Sequence, residues 1–477
     1  MELSVQVLSE DEKAQVHERT LRLLQTTGVR CDTAEGRGIL AAAGADVDEA
    51  TRMVRYPPEL VESLLAQAAR RFTLHGRRPG WSFSVNDGAF TLLADGGATA
   101  VFDTRTGERR PTTHGDWLAA TRVLDALDDV GLYWCPIEYD ADYEHAGGFV
   151  RYYTDVFATF GKHVQDSFGT PELAPWLKEV LDIVFGGPEA VRERLPLSFL
   201  ITPASPLTIE HDYTQTWLEL RDYGLPVAVM PMPLQGATAP GSRLGTLLAA
   251  NCETVATLCL VQAAAPGTPV FYAPVVATMD PRTGLYAAGA IEHAVLCVAG
   301  TEMARYYGLP AESSGLCTQT WEPGIQTAWE KADSGLLVAL ADPDVLVGPG
   351  LLGGATVLCL EQIILDVEII RRARQGRTGI PVRDDLWLDD VLADVGPCGS
   401  FLGQRSTRTG VRAGEWWLSD FGVQGSWDAW KAAGSPDAVA AARERVQGLL
   451  DAQVSLPYTD DQARALAELQ RRAARAG

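Results

Sequence analysis

The chain has 477 residues, of which 46% are apolar and 21% charged, a balance that excludes general disorder and allows a large buried core. Its formal charge of -22 would repel nucleic acid backbones and anionic membrane surfaces, so neither is expected as a partner. The opening residues are charged where a signal peptide would be apolar, and no run of about 18 uncharged apolar residues occurs. A cytoplasmic protein is therefore expected.

The eight cysteines form no C-x-x-C pair and mostly lie in apolar stretches such as LCLVQ and VLCLEQ. This pattern predicts buried reduced thiols rather than disulfides or a zinc site.

Residues 1–114 predict N-terminal helices followed by a β-hairpin. Ser9 and Glu12 form a capping-box pattern that opens a helix through about residue 28, and PPELVESLLAQAARR from Pro57 predicts a second helix. Residues 82–113 are short β-like pieces, with turns at Asp95-Gly96-Gly97 and Thr106-Gly107.

From residue 115 to residue 376, short apolar runs alternate with helical stretches, a rhythm typical of parallel β/α units. The predicted strands are Gly131–Ile137, Val156–Phe160, Leu197–Thr202, Pro226–Met230, Pro269–Ala273, Glu312–Cys317 and Val345–Gly348. The predicted helices between them include Asp212–Tyr223, Arg243–Ala265, Ala287–Tyr307, Ile325–Ala341 and Val357–Gln375.

These elements favour an α/β fold with a closed (β/α)8 barrel, and an element near residue 90 or 180 would supply the eighth strand. A doubly wound open sheet is the alternative. Nearly every predicted strand ends in a distinctive polar loop, which favours the barrel because barrel sites are built from the loops at strand carboxyl ends. We expect the loops near six positions to converge on one pocket: Trp134, Thr202, Met230, Ala273, Cys317 and Gly348.

Residues 377–477 predict a C-terminal helical extension with a Trp-rich piece and two closing helices, Asp437–Gln453 and Thr459–Arg475. This extension is expected to pack on the barrel or on a second subunit, and a homo-oligomer is expected.

The run Gly348-Pro-Gly350-Leu-Leu-Gly353-Gly354 fits G-x-G-x-x-G after a strand and before a helix. The acidic residues about 20 positions on, Asp366 and Glu368, lie mid-helix, where a dinucleotide fingerprint needs a strand end. We therefore interpret the glycines as letting the backbone of this turn come close to a ligand, and we expect that ligand to be a bulky cofactor on a partner rather than NAD.

Polar residues near loop ends could act in acid–base chemistry, although a structural hydrogen bond is the plain alternative for each. None has metal-site spacing, so no metal or nicotinamide bound by this chain is expected. These residues are His163, His211, His293, Glu210, Asp212, Asp280, Glu292 and Glu361.

Aromatic residues also cluster beside the predicted strand ends. Ring faces attract a quaternary ammonium, which neither donates nor accepts ordinary hydrogen bonds, but core packing explains such residues equally well. We expect two or three to face a ligand among Tyr133, Trp134, Tyr139, Phe271, Tyr272 and Trp321.

Taken together, the strings TPASPL, PVAVMPMPLQGATAP, MDPRTG and SGLCTQTWEPGIQTAWEKADSGLLVALADPDVLVGPGLLGG resemble the trimethylamine methyltransferase family. The resemblance runs from about residue 10 to the C-terminus. It implies a TIM barrel that demethylates an amine and passes the methyl to Co(I) of a separate corrinoid protein. One branch uses pyrrolysine, and the larger branch acts on quaternary amines such as glycine betaine. The pyrrolysine position falls near Thr318–Gln319, so this chain resembles the larger branch.

The resemblance implies that this chain holds no tightly bound cofactor and that cobalamin is carried by the partner. The runner-up is a barrel that binds methylated amines without methyl transfer, or an enzyme with another acceptor. The sequence departs from the family at Gln319, Trp321 and Glu322, and the segment FLGQRSTRTGVR lacks the family's histidines. The candidate catalytic residues are Asp280 and Gln319; the candidate substrate-binding residues are Trp134, Tyr139, His163, Gln235, Tyr272 and Trp321; the candidate cofactor-binding residues are Gly348, Gly350 and Gly353.

If the substrate is a betaine, its carboxylate needs a donor, for which His163, His211 and Arg282 are the candidates.

Overall fold

Eight short parallel strands, most of them apolar, have every residue buried, as expected where helices cover a parallel sheet. The exceptions in composition are His163–Asp166 and Glu312–Ser314, which are mostly polar. The computed structural model describes residues 3–139, 143–419, 421, 425–452 and 456–476. The strands are β1 Thr91–Leu93, β2 Val130–Tyr133, β3 His163–Asp166, β4 Leu197–Ile201, β5 Val227–Val229, β6 Val270–Tyr272, β7 Glu312–Ser314 and β8 Val345–Val347.

The strands follow the order β6-β5-β4-β3-β2-β1-β8-β7, so each lies beside its neighbours in sequence. The ring closes between β6 and β7 through one parallel bridge, Tyr272 to Ala311, where the Tyr272 amide donates to the Pro310 carbonyl at 2.9 Å. We call this junction the seam. The closed ring confirms the predicted barrel and excludes the open doubly wound sheet.

Two strand assignments differ from the sequence analysis. Val156–Phe160 is wrong as a strand, because Val156–Thr159 form the last turn of a helix whose buried face includes Val156 and Phe157. The third strand is His163–Asp166, a segment that the sequence analysis treated as a loop. The eighth element is Thr91–Leu93, near residue 90, so the barrel takes one strand from the segment before residue 115.

Helices follow each strand and cover the barrel. Three precede it: α1 Glu10–Thr26, α2 Ala34–Ala43 and α3 Pro58–Leu65. Those around it are α4 His114–Ala126, α5 Ala146–Thr159, α6 Ala174–Phe185, α7 Pro188–Arg194, α8 Asp212–Leu220, α9 Arg243–Ala264, α10 Ile291–Tyr307, α11 Ile325–Leu340 and α12 Leu360–Arg377. Those after it are α13 Asp389–Val395, α14 Arg405–Ala413, α15 Trp427–Ala432, α16 Ala438–Asp451 and α17 Asp460–Ala476.

Local signals account for several of these boundaries. The predicted capping box is present at the start of α1, where the Ser9 hydroxyl accepts from the Glu12 amide and the Glu12 carboxylate accepts from the Ser9 amide. Helix α9 is long and apolar enough to cross a membrane by composition alone. Most of it is buried against α1, α3 and the barrel, as in the core helix of a globular protein.

The predicted hairpin pairs Ala100–Asp103 with Glu108–Pro111, and Gly107 takes the left-handed conformation in its turn. A second hairpin, Thr73–His75 with Ser82–Ser84, places Leu74 in the cluster that fills the barrel interior. At the C-terminal end of the chain, α16 packs on α12 and α4, and α17 packs on α5 and α6.

Candidate functional site

A cavity of about 180 Å³ lies at the carboxyl ends of the barrel strands. The loops after β1, β2, β5, β6, β7 and β8 all contribute to it, as expected for a closed barrel. We call it the mouth chamber. Its walls include Asp95, Gly96, Trp134, Met230, Met232, Val275, Tyr286, Ser314, Cys317, Thr318 and Gly348.

Asp95, which follows β1, is the carboxylate in the wall of the mouth chamber. Its Oδ1 accepts a hydrogen bond from the Gly96 amide at 2.9 Å. Burial raises the pKa of Asp95 to about 6, although this hydrogen bond and the positive fields of Lys331 and His293 lower it. At neutral pH the chamber therefore carries a negative charge that a cation would stabilise.

Tyr286 presents a fixed phenol to the same chamber. Its Oη lies 3.1 Å from His293 Nε2, and His293 Nδ1 lies 3.0 Å from the Val276 carbonyl. The carbonyl can only accept, so Nδ1 carries a hydrogen, and Nε2 accepts from the phenol whenever the ring is neutral. Burial lowers the pKa of His293, but Cys297, the Val276 carbonyl and Asp95 raise it overall.

A buried ion pair fixes two walls of the mouth chamber. Lys331 Nζ on α11 lies 2.8 Å from Asp366 on α12, and neither side chain is exposed. Lys331 also donates to the Leu316 carbonyl after β7, and Asp366 accepts from the Gly350 amide after β8, each at 2.7 Å. One pair therefore fixes the loops after β7 and β8 relative to each other.

A second cavity, of about 290 Å³, lies at the carboxyl ends of β1 to β3. Most of its lining is aromatic, so we call it the aromatic chamber. Edge-to-face contacts order the rings, with centroids 5.0 Å apart for Tyr143 and Tyr152 and 4.7 Å apart for Phe149 and Phe168. Its lining is Gly96, Gly97, Trp134, Cys135, Glu138, Tyr143, Phe149, Tyr152, Tyr153, Asp166, Ser167, Phe168 and Tyr213.

Asp166 is the last residue of β3 and the most buried carboxylate of the aromatic chamber. It accepts hydrogen bonds from Tyr152 Oη at 2.9 Å and from the Ser167 amide at 2.8 Å. Burial raises the pKa of Asp166 to about 6, and these hydrogen bonds lower it. The charge of Asp166 is thus available at neutral pH beside several ring faces.

The two chambers share Trp134 and Gly96. A Cβ atom on Gly96 would lie 2.7 Å from the indole ring, so glycine is what allows the ring to lie against the loop after β1. Trp134 and Gly96 therefore form the partition between the chambers.

The structure brings some predicted site residues to this region. Trp134 and Gly348 line the mouth chamber directly. Gln319 lies just outside it, where its Oε1 accepts from the amide of the wall residue Ala288 at 3.0 Å. Trp321 lies in an adjoining open groove, and buried Tyr139 packs against Tyr143 of the aromatic chamber at 5.5 Å.

Four other predicted residues lie farther from the two chambers, with their polar groups engaged elsewhere. His163 is buried inside the barrel with Nε2 2.9 Å from Ser198 Oγ, and Tyr272 is buried with its hydroxyl donating to Asn251 on α9 at 2.7 Å. Gln235 accepts from Thr278, and Asp280 on a surface turn is held by Arg282. Their assigned roles stay predictions, and their positions give them no direct contact with either chamber.

The glycine turn after β8 makes its close approaches to atoms of this chain. A Cβ on Gly348 would lie 2.0 Å from the Gly315 carbonyl oxygen, one on Gly350 would lie 2.5 Å from Ile363, and one on Gly353 would lie 2.5 Å from Trp321. All three have positive φ. Asp366 is engaged by Lys331 and does not lie at a strand end, where a dinucleotide fold would need it.

The sequence analysis missed Asp95, Tyr286 and Asp166 as site residues. Asp95-Gly96-Gly97 was interpreted as a hairpin turn, whereas it is the loop after β1. Asp166 was missed because the strand before it was placed seven residues too early, at Val156 instead of His163. The available signal was the β-branched Val164 within the short segment His163–Gln165, which an aspartate follows directly.

Comparisons with known proteins agree with the geometry. The model of the trimethylamine methyltransferase family matches residues 2–477. The chain is 29% identical over 447 residues to the trimethylamine methyltransferase of Desulfitobacterium hafniense strain DSM 10664 / DCB-2, covering 93% of this chain and 89% of that protein. It is 26% identical over 425 residues to the glycine betaine methyltransferase of Desulfitobacterium hafniense strain Y51, covering 89% of this chain and 88% of that protein.

Among solved structures, the monomethylamine methyltransferase of Methanosarcina barkeri superposes with a TM-score of 0.51 at 11% identity, covering 99% of this chain and 88% of that chain. At this identity the likeness concerns the fold alone.

Proposed function

The chain belongs to the trimethylamine methyltransferase family, and we propose that it demethylates a small quaternary ammonium compound and passes the methyl group to Co(I) of a separate corrinoid protein. The observation that carries the proposal is the pair of adjoining chambers at the barrel mouth. One is lined by aromatic rings, each has an aspartate in its wall, and Trp134 belongs to both. Ring faces and carboxylates are the favourable partners of a fixed positive charge.

The reaction balances without a proton. One N–CH₃ bond breaks, its electron pair stays on nitrogen, and a neutral tertiary amine leaves. The methyl carbon receives both electrons of the new bond from Co(I), which is thereby oxidised to methyl-Co(III). The chain's own residues bind the cation, exclude water and orient one methyl group.

The residue types at the mouth support a substrate that already carries its charge. The pyrrolysine position of other family members is expected near Thr318–Gln319, and Thr318 lines the mouth chamber. The chain contains standard residues only. A quaternary amine needs no covalent activation, because its leaving group is a neutral amine.

An open groove beside the mouth, with two large apolar side chains exposed in it, supports a protein as the methyl acceptor. A groove of about 590 Å³ adjoins the loop after β7. Ile325 in this groove is 81% exposed and Trp321 is 55% exposed. Large exposed apolar side chains beside a site are typical of a surface that another protein covers.

The proposal is tested by incubating the purified chain anaerobically with Co(I) cobalamin and a panel of methylated amines. The panel contains choline, tetramethylammonium, glycine betaine, carnitine and trimethylamine. We expect loss of the Co(I) absorbance, growth of the methyl-Co(III) absorbance and one equivalent of demethylated amine with at least one quaternary compound. Trp134→Ala should lower kcat/KM by more than about tenfold, whereas Trp427→Ala, at an exposed position far along the chain, should not.

Two other outcomes decide against the proposal. Tight binding of a quaternary amine with no methyl transfer to Co(I), with or without a corrinoid protein, would favour the binding protein that the sequence left as runner-up. No binding and no transfer with any quaternary amine would refute the substrate class.

A further inference from the structure

The charged residues around the two chambers indicate which substituents the substrate can carry besides its ammonium group. Asp95 borders the mouth chamber, and Asp166 and Glu138 border the aromatic chamber. Within the described part of the chain, no lysine, arginine or histidine lines either cavity. A carboxylate placed in either chamber would meet like charge and no cationic donor.

The three side chains that the sequence suggested as donors to a carboxylate lie away from both chambers, and Arg109 lines the adjoining groove rather than either chamber. His211 is exposed and lies 3.0 Å from Asp212. Arg282 is 85% exposed and binds Asp280. His163 is buried inside the barrel, where burial lowers its pKa to about 3 and keeps the ring neutral.

The aromatic chamber also fits a small cationic head better than the mouth chamber does. Its volume of about 290 Å³ is at the lower end of ordinary ligand pockets, about 300–1,000 Å³. Seven aromatic side chains line it, whereas Trp134 and Tyr286 are the aromatic side chains in the described lining of the mouth chamber. Each well-placed ring contributes about 0.5–2 kcal/mol toward a cation.

We propose that the substrate's ammonium group binds in the aromatic chamber against Asp166, Phe168 and Tyr213, and that the substrate carries no carboxylate. It is a quaternary ammonium ion with alkyl or hydroxyl substituents, of which choline is the simplest probe. This inference rests on the proposed function and narrows its substrate class from quaternary amines in general to those without an acid group.

The first test is titration calorimetry of the full chain with choline, tetramethylammonium, glycine betaine and carnitine. We expect choline or tetramethylammonium to bind at least tenfold more tightly than either betaine. The reverse order would overturn the inference. The methyl-transfer assay separates the two failures, because demethylation of a betaine refutes only the inference, whereas no demethylation of any quaternary amine refutes the proposed function.

The second test places the cation. Asp166→Asn should weaken choline binding at least tenfold, whereas Asp155→Asn, a half-buried aspartate on α5 outside both chambers, should leave it unchanged. If Asp95→Asn abolishes binding while Asp166→Asn does not, the cation lies in the mouth chamber and the assignment is wrong.

A third pair of variants guards against misfolding at Asp166. Tyr213→Phe keeps the ring face and should retain choline affinity, whereas Tyr213→Leu should lower it several-fold. Equal choline affinity in the two variants would show that the ring of Tyr213 does not contact the ammonium group.

Discussion

Gly96 controls the position of Trp134 without touching a ligand itself. Its φ is not positive, so alanine is acceptable to the backbone, but the new Cβ would lie 2.7 Å from the indole. Forcing extra atoms into such a contact costs about 1–3 kcal/mol or moves the ring. We expect Gly96→Ala to shift the tryptophan fluorescence and to weaken quaternary ammonium binding several-fold.

The matched control is Gly38→Ala, where a helical glycine has open space around it and alanine is favoured. Unchanged fluorescence and affinity in Gly96→Ala would show that Gly96 does not control the position of the Trp134 ring.

Cation binding should depend on pH through Asp166. Its pKa of about 6 means that the negative charge is present above pH 6 and is lost as pH falls through 6, while the charge of a quaternary ligand is constant. Groups facing it include Tyr152, Tyr153 and Cys135, which stay protonated because burial raises the pKa of each. Affinity should therefore fall about tenfold from pH 8 to pH 5.

Calorimetry at several pH values measures this change. Asp166→Asn should flatten the profile, apart from any contribution of Asp95, whose pKa is also about 6. A profile that is flat in the unmodified protein would contradict the assignment.

At this scale the sequence predicted Trp134 as a site residue from its place among the aromatic residues beside the end of the predicted strand Gly131–Ile137. It could not distinguish Tyr272, which contacts α9, from Phe271, which belongs to the barrel interior cluster. Neighbouring strand residues point to opposite faces of the sheet. An error of one residue therefore exchanges the side chains that face the barrel interior with those that face the surrounding helices.

At the scale of elements, the Lys331–Asp366 pair joins α11 and α12 to the loops after β7 and β8. Removing one member leaves a buried charge without its partner, which costs about 3–5 kcal/mol. We expect Lys331→Met to lower the free energy of unfolding by this amount and to reduce activity, because the loops after β7 and β8 lose their common anchor.

The double variant Lys331→Met/Asp366→Asn should recover part of the stability, since asparagine retains an acceptor for the Gly350 amide. Denaturant unfolding followed by circular dichroism measures both. Arg471→Ala, in an exposed pair with Glu468, is the control and should cost less than about 1 kcal/mol. A Lys331→Met protein as stable as this control would contradict the role of the pair.

The barrel helices that were predicted, such as Arg243–Ala265 and Ile325–Ala341, lie within a few residues of those observed, because caps and apolar periodicity are local signals. The third strand was not, because Val156 and Phe157 are equally suited to a strand and to the buried face of α5. Only the packing of α5 on α17 and α6, which involves distant segments, decides between them.

At the scale of the whole molecule, the described part of segment 380–432 is largely exposed and contacts α12 at Trp417, which lies under Arg372, and at Ser419, which donates to Glu368. Its helices α13, α14 and α15 contain no buried residue among those described. Large apolar side chains are exposed along it, including Trp387 at 64%, Leu402 at 89% and Leu418 at 75%. Contiguous exposed apolar surface is typical of interfaces, so we expect copies of the chain to associate through this segment.

Light scattering after size exclusion measures the oligomeric state. Leu402→Glu with Leu418→Glu should produce a smaller species, whereas Leu244→Glu, an exposed leucine outside the segment, should not. A monomer at micromolar concentration would refute the predicted homo-oligomer.

The seam between β6 and β7 is the junction at which the barrel strands separate most easily. Other neighbouring strands share two or more paired positions, but these two share the single bridge at Tyr272 and Ala311. Local opening follows the weakest set of backbone hydrogen bonds, so amide hydrogen exchange should be fastest, among the barrel strands, at this junction. Val275 follows β6, Ser314 is the last residue of β7, and both border the mouth chamber. Thermal fluctuation would thus widen the chamber from one side, opposite the partition, while the aromatic chamber on the far strands keeps its shape.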